Sequence, residues 1–196
     1  MLDLHRDWFR GIEARTAKIF AVLPFSPNQY TIFSIFFALA CAYFLFTGNY
    51  RLSLIFFVLA AGMDFVDGAV ARLKGLSTKK GAYCDTIADR YVEAILLFGL
   101  LFVELPQFYL PGCVWIFLVL FGSTMTTYAK AAAKEKGLAD AELKGGLMSR
   151  GERILIFTAI LALLGYSKEW VVYLLAILAV LCNITAVQRI SAALRK

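Results

Sequence analysis

Residues 64–89 read DFVDGAVARLKGLSTKKGAYCDTIAD and carry four aspartates in two pairs. Asp64 and Asp67 are three apart, and Asp85 and Asp89 are four apart. On helices, either spacing puts both members of a pair on one face. The short basic stretch between the pairs predicts a reversal, so that all four carboxylates meet at one end of a helix pair. The flanking sequence is strongly apolar. An aspartate within a membrane span costs roughly 2.5–3.5 kcal/mol, and four together also repel. Arg72 and Arg90 are too few to compensate. Hard carboxylate oxygens in this number suit divalent cations, Mg²⁺ with Mn²⁺ or Ca²⁺ as alternatives, one ion or a pair. Ion pairs to Arg72, Arg90 and Lys80 are the competing explanation. They account poorly for two pairs flanking one reversal.

Gly68 follows Asp67, and Gly81 lies four before Asp85. Gly68 and Ala71 leave a bare strip along the aspartate face. Two readings stay open: approach of a flat ligand, or tight helix packing of the kind small residues permit in membranes.

These residues need elements to hold them. The chain has 196 residues, of which 61% are hydrophobic and 17% charged. Typical soluble domains have roughly 45–50% apolar and about 25% charged residues. Mean hydropathy is +0.73. A soluble domain of this size cannot bury so much apolar surface, and a disordered chain would not carry it. The composition therefore predicts an all-α polytopic membrane protein. Apolar stretches at 28–48, 51–72, 82–103, 108–132, 150–166 and 169–190 predict six transmembrane helices, since a hydrocarbon core of ~30 Å takes ~20 helical residues. Residues 2–21 alternate charged and apolar positions and include Trp8 and Phe9. They predict an N-terminal interfacial amphipathic helix rather than a cleavable signal peptide. With no repeat or low-complexity tract, 1–196 reads as a single domain.

The net charge is +6. The basic residues cluster between apolar runs, which points to a membrane surface or a phosphorylated substrate and away from nucleic acid. With six spans, seventeen Lys and Arg fall on the side of the N-terminus, the 73–81 and 133–149 loops and the C-terminus; only Arg51 and Lys168 fall on the other. By the positive-inside rule both termini and any site at those loops are cytoplasmic, in the cell membrane. Cys41, Cys84, Cys113 and Cys182 show no CxxC spacing, and His5 is the only histidine. Reduced thiols are expected, and histidine-based zinc or triad chemistry is excluded.

The run Asp64-x-x-Asp67-Gly68-x-x-Ala71-Arg72, eight residues, then Gly81-x-x-x-Asp85-x-x-x-Asp89 resembles the signature of the CDP-alcohol phosphotransferases, with no departure from the pattern. Ser26-Pro27-Asn28 followed by Thr31 is similar to that family's element ahead of the first span. The resemblance implies a metal-dependent intramembrane transferase of phospholipid biosynthesis. It moves the substituted phosphate of a CDP-linked alcohol, usually a CDP-lipid, to an acceptor hydroxyl and releases CMP. By position, Asp64, Asp67 and Asp85 would hold the metal, with Asp89 near or on a second ion and also acting as general base. Gly68, Ala71 and Arg72 would contact the CDP donor, together with Asn28, Thr31, Thr78 and Gly81. The family's habits also imply a homodimer.

A second basic group comprises Lys130, Arg150, Arg153 and, from the last span, Arg189. Arg150 and Arg153 share a helix face. If the group converges beside the aspartates it forms an anion pocket, and the acceptor is then itself a phosphorylated polyol. Snorkelling interfacial charge is the alternative. The arrangement resembles the inositol-phosphate type of the family, and Asp89-Arg90-Tyr91-x-Glu93 resembles its archaeal members. That implies inositol 1-phosphate as acceptor and CDP-archaeol or CDP-diacylglycerol as donor. Rivals are a glycerol 3-phosphate acceptor and a CDP-inositol donor in di-inositol phosphate synthesis. Outside the family, a cation transporter could use intramembrane carboxylates, although a basic loop beside them would repel cations. A membrane prenyltransferase would release pyrophosphate instead of CMP.

Overall fold

The computed structural model describes residue 16 and residues 18–138 and 146–195. The expected interfacial helix at 2–21 lies almost wholly outside the described residues; only its end, through residue 21, is seen as helix. Six further helices follow, grouped in two compact units, Met1–Leu100 and Leu101–Lys196.

The first unit holds α1 (Pro27–Phe46), α2 (Tyr50–Leu73) and α3 (Lys79–Leu100). Ser26 and Gln29 form a capping box at the start of α1, and Pro27 opens the helix where its missing N–H costs nothing. Gly48, at φ +75°, turns the chain, and Asn49 caps α2 by accepting from the Leu52 N–H. Gly75, at φ +65°, closes α2 while the Leu76 N–H reaches the Ala71 carbonyl, a left-handed stop that glycine takes without a Cβ penalty. The Thr78 hydroxyl then accepts from the Gly81 N–H at 3.0 Å and caps α3.

The α2–α3 reversal is present, but its neighbours touch only sparingly; α1 packs against both. Ala38 of α1, Ala60 of α2 and Val92 of α3 meet in one buried cluster. At Gly99 an added Cβ would lie 2.9 Å from Cα of Ala42. A second cluster joins Tyr30, Val66 and Val70, with Phe20, Phe25, Phe33 and Met63 around it. The Tyr30 hydroxyl donates to the Phe20 carbonyl at 2.9 Å and ties the segment before α1 to the bundle.

The second unit holds α4 (Gly112–Glu135), α5 (Arg150–Leu163) and α6 (Lys168–Leu194), with α6 packed against both others. The amide of Asn183 donates to the carbonyls of Leu118 and Ala179, and the Thr126 hydroxyl reaches the carbonyls of Gly122 and Cys182. Gly122 makes room for this: a Cβ there would meet the Asn183 side chain at 2.7 Å.

Among the described residues four helices, α1, α2, α4 and α6, are long and apolar enough to cross a membrane. α5 has 14 residues, about 21 Å at 1.5 Å per residue, and α3 carries Lys79, Lys80, Asp85, Asp89, Arg90 and Glu93. The boundaries also differ from hydropathy. α4 starts at Gly112 rather than 108 because Phe108 and Leu110 pair in an isolated bridge and Pro111 caps the helix. α3 starts at Lys79 rather than 82 because Thr78 caps a polar first turn. All four cysteines are free thiols.

Candidate active site

The end of α2, the start of α3 and the start of α1 build the site. The last turns of α2 present Asp64, Asp67, Gly68, Ala71 and Arg72, and α3 presents Gly81 and Asp85 from its opening turns. One carboxylate oxygen each from Asp64, Asp67 and Asp85 lies within 4.8 Å of the other two. Asp67 is buried and its two partners are half-buried. Three like charges this close are unfavourable without a cation, and the donors are all hard oxygens. The residues therefore fit an Mg²⁺- or Mn²⁺-type ion.

Asp89 is not in this trio. It sits one turn further along α3, buried, with the guanidinium of Arg90 3.5 Å from its carboxylate. The structure thus brings three of the four expected carboxylates together and leaves the fourth outside the cluster, one turn along α3.

A cleft of about 140 Å³ opens beside the trio. Its wall contains every residue expected to touch a CDP donor: Asn28, Thr31, Gly68, Ala71, Arg72, Thr78 and Gly81, with Asp67 and Asp85 between them. Pro27, Leu76, Ser77 and Ala82 complete the lining and were not anticipated. For Ser77 a signal existed, a second hydroxyl next to Thr78 in the reversal. The glycines now have defined surroundings. A Cβ on Gly68 would meet both terminal nitrogens of Arg72 at 3.3 Å, and a Cβ on Gly81 would meet the Thr78 hydroxyl at 3.2 Å and the Asn28 side-chain oxygen at 3.7 Å. Both glycines face polar cleft atoms. Of the two readings for the bare strip, the one facing a ligand cleft is the one the geometry supports. The Thr31 hydroxyl donates to Asp67 at 2.5 Å, a bond between α1 and α2 that the sequence does not announce.

The second basic group lies in the other unit. Arg153 is 3% exposed, while Lys130, Arg150 and Arg189 are half-buried. Arg189 donates to the Thr126 carbonyl of α4 at 3.0 Å, one turn before Lys130. The N–H groups of Leu147 and Met148 bond to Gln188 and Thr185, which ties the start of α5 to α6 beside Arg189. Ser149 and Glu152 form a capping box that sets the first turn bearing Arg150 and Arg153.

Residues 25–185 match the family model described as CDP-alcohol phosphatidyltransferase. The archaetidylinositol phosphate synthase of Pyrococcus horikoshii is 35% identical over 90% of this chain and 87% of its own length. The phosphatidylinositol phosphate synthase of Corynebacterium glutamicum is 30% identical over 88% and 79%. Among solved structures, the phosphatidylinositol phosphate synthase of Mycobacterium tuberculosis with CDP-DAG bound superposes with TM-score 0.80 at 25% identity, covering 93% of both chains. The same enzyme has been solved in complex with manganese and citrate, with TM-score 0.79, covering 93% of this chain and 88% of that one. Aspartate motif, cleft, apolar helices and these likenesses agree, and the chain belongs to the CDP-alcohol phosphatidyltransferase family as a multi-pass membrane enzyme.

Proposed function

We propose that the enzyme transfers the lipid phosphate of a CDP-lipid to a hydroxyl of inositol 1-phosphate and releases CMP. One observation carries the reading of the site: a single cleft whose wall holds all seven expected donor contacts and two of the three clustered aspartates. The names of the Pyrococcus and Corynebacterium relatives favour the inositol-phosphate acceptor.

Asp64, Asp67 and Asp85 would hold Mg²⁺ or Mn²⁺, with Asp89 near or on a second ion. Bound there, the metal supplies charge neutralisation on the diphosphate and a better leaving group in CMP. Arg72 offers a planar guanidinium to phosphate oxygens, while Gly68, Ala71 and Gly81 let the nucleotide lie against backbone. Asn28, Thr31 and Thr78 supply polar contacts to the donor. Asp89, buried beside Arg90, takes the acceptor's proton as its oxygen bonds to the lipid-linked phosphorus. The bond to CMP breaks in line, and CMP leaves with the electron pair. Lys130, Arg150, Arg153 and Arg189 bind the acceptor's phosphate.

In this reading both units belong to one catalytic domain, which is supported by a family match running through both. All six helices span the membrane, both termini and the active site are cytoplasmic, and the enzyme is a homodimer. A second reading, a CDP-inositol donor, draws on one relative. The bifunctional IPC transferase and DIPP synthase of Aquifex aeolicus is 32% identical over 94% of this chain, which spans 42% of that protein.

The test is CMP release by purified protein with CDP-archaeol and Mg²⁺, across inositol 1-phosphate, glycerol 3-phosphate, free inositol and serine. Turnover with inositol 1-phosphate alone is expected. Turnover with glycerol 3-phosphate instead reassigns the acceptor, and CMP only from CDP-inositol reassigns the donor.

A further inference from the structure

Thr31 stands out among the cleft residues because its hydroxyl bonds a carboxylate of the aspartate trio. It is 8% exposed, and its oxygen lies 2.5 Å from Oδ2 of Asp67 and 3.3 Å from the Pro27 carbonyl. A hydroxyl has one proton. The shorter contact falls in the range of charge-assisted O–H···O⁻ bonds, about 2.5–2.7 Å, so the proton goes to Asp67. The bond to the carbonyl one turn back, usual for a helical threonine, is the longer one. A neutral hydroxyl cannot neutralise the aspartate, but it fixes the direction of a carboxylate that has an oxygen within 4.8 Å of oxygens of Asp64 and Asp85.

We infer that Thr31 is a positioning residue for the metal-binding carboxylate of Asp67, linking α1 to the aspartate pair on α2. This rests on the metal-centre reading above. It differs from a donor contact in one consequence: removing the hydroxyl weakens metal binding even when no nucleotide is present. Partners that orient a ligating carboxylate are typically worth 10–100-fold in metal affinity.

The experiment measures Mn²⁺ affinity of donor-free, detergent-purified full chain by electron paramagnetic resonance. Thr31→Val keeps the shape and removes the donor; Thr31→Ser keeps the hydroxyl; Thr31→Ala guards against a misfolded valine variant. Each is checked for an unchanged melting temperature. About 10–100-fold weaker Mn²⁺ binding is expected for Val and Ala, with Ser close to wild type. Wild-type Mn²⁺ affinity in Val and Ala, with weakened CDP binding alone, overturns the positioning role and leaves Thr31 a donor contact. Failure of the unaltered protein to bind Mn²⁺ overturns the metal centre and this inference together.

Discussion

The guanidinium of Arg72 lies over Gly68, close enough that a methyl on that glycine would meet Nη1 and Nη2 at 3.3 Å. The two residues are four apart on α2, so the arginine folds back over the helix's own bare strip and into the cleft. Gly68→Ala is expected to leave the fold intact or slightly more stable, since alanine exceeds glycine by about 1 kcal/mol in a helix. The same methyl pushes the guanidinium aside. A raised KM for the CDP donor with an unchanged melting temperature is the expected pairing, and an unaltered donor KM would remove Gly68 from the site.

Arg72 itself is expected to tolerate lysine poorly. A compact ammonium cannot reproduce a planar, two-pronged contact to phosphate. Hydrogen bonds to charged groups are worth about 1.5–3 kcal/mol, so Arg72→Lys should lower kcat/KM for the donor by roughly 10–100-fold. Steady-state CMP release over a range of donor concentrations reads this directly.

Asp64 and Asp89 should fail in different ways. Asp64 is one of three clustered carboxylates, so Asp64→Asn should raise the metal concentration needed for activity. Asp89 lies outside that cluster. In its proposed role as general base it would contribute about 10²–10⁴-fold, so Asp89→Asn should lose transfer at every metal concentration while still binding donor. Metal titration of CMP release separates the two, and normal turnover in Asp89→Asn would end its assignment as base.

Much of the site was legible because its chemistry is local. Two aspartate pairs and two glycines flank one reversal, and spacings of three and four fix which side chains share a face. The cleft wall at Gly68, Ala71, Arg72, Thr78 and Gly81 lies in or beside that stretch, where the family resemblance, rather than spacing alone, implied donor contacts. The bond from Thr31 to Asp67 spans 36 positions, and it depends on α1 packing against both α2 and α3, which hydropathy does not encode. Helix existence was equally legible, whereas boundaries were not. The apolar run at 108 continues smoothly through a bridge and a capping proline, and the charged first turn of α3 is helical without being hydrophobic. Hydropathy reads apolarity, while caps and turns set where hydrogen bonding starts.

Variants at Arg153 and Arg189 should separate the proposed acceptor binding from architecture. Arg153 is buried and held on the first turn of α5 by the Ser149–Glu152 capping box. Arg153→Gln should raise the KM for the phosphorylated acceptor with kcat less affected. Arg189 also donates to the Thr126 carbonyl on α4, so Arg189→Gln should additionally lower the melting temperature. Equal acceptor KM in wild type and Arg153→Gln would take Arg153 out of the phosphate site.

The glycine contacts between helices predict a graded stability series. At Gly99 a methyl would lie 2.9 Å from Cα of Ala42, and at Gly122 it would lie 2.9 Å from the backbone nitrogen of Asn183. Backbone cannot rotate away, so each alanine forces its helix pair apart. Overpacking of this kind costs typically 1–3 kcal/mol, and each kcal/mol lowers the melting temperature by about 2–4 °C in a chain of this size. Gly62, on α2, has nothing within 4 Å of its added methyl, so Gly62→Ala should hold or raise the melting temperature through helix propensity alone. Thermal unfolding of the three variants in one detergent should place Gly62→Ala above wild type or level with it, and Gly99→Ala and Gly122→Ala below. If all three shift alike, the close approaches of α1 to α3 and of α4 to α6 are not what sets stability in the two units.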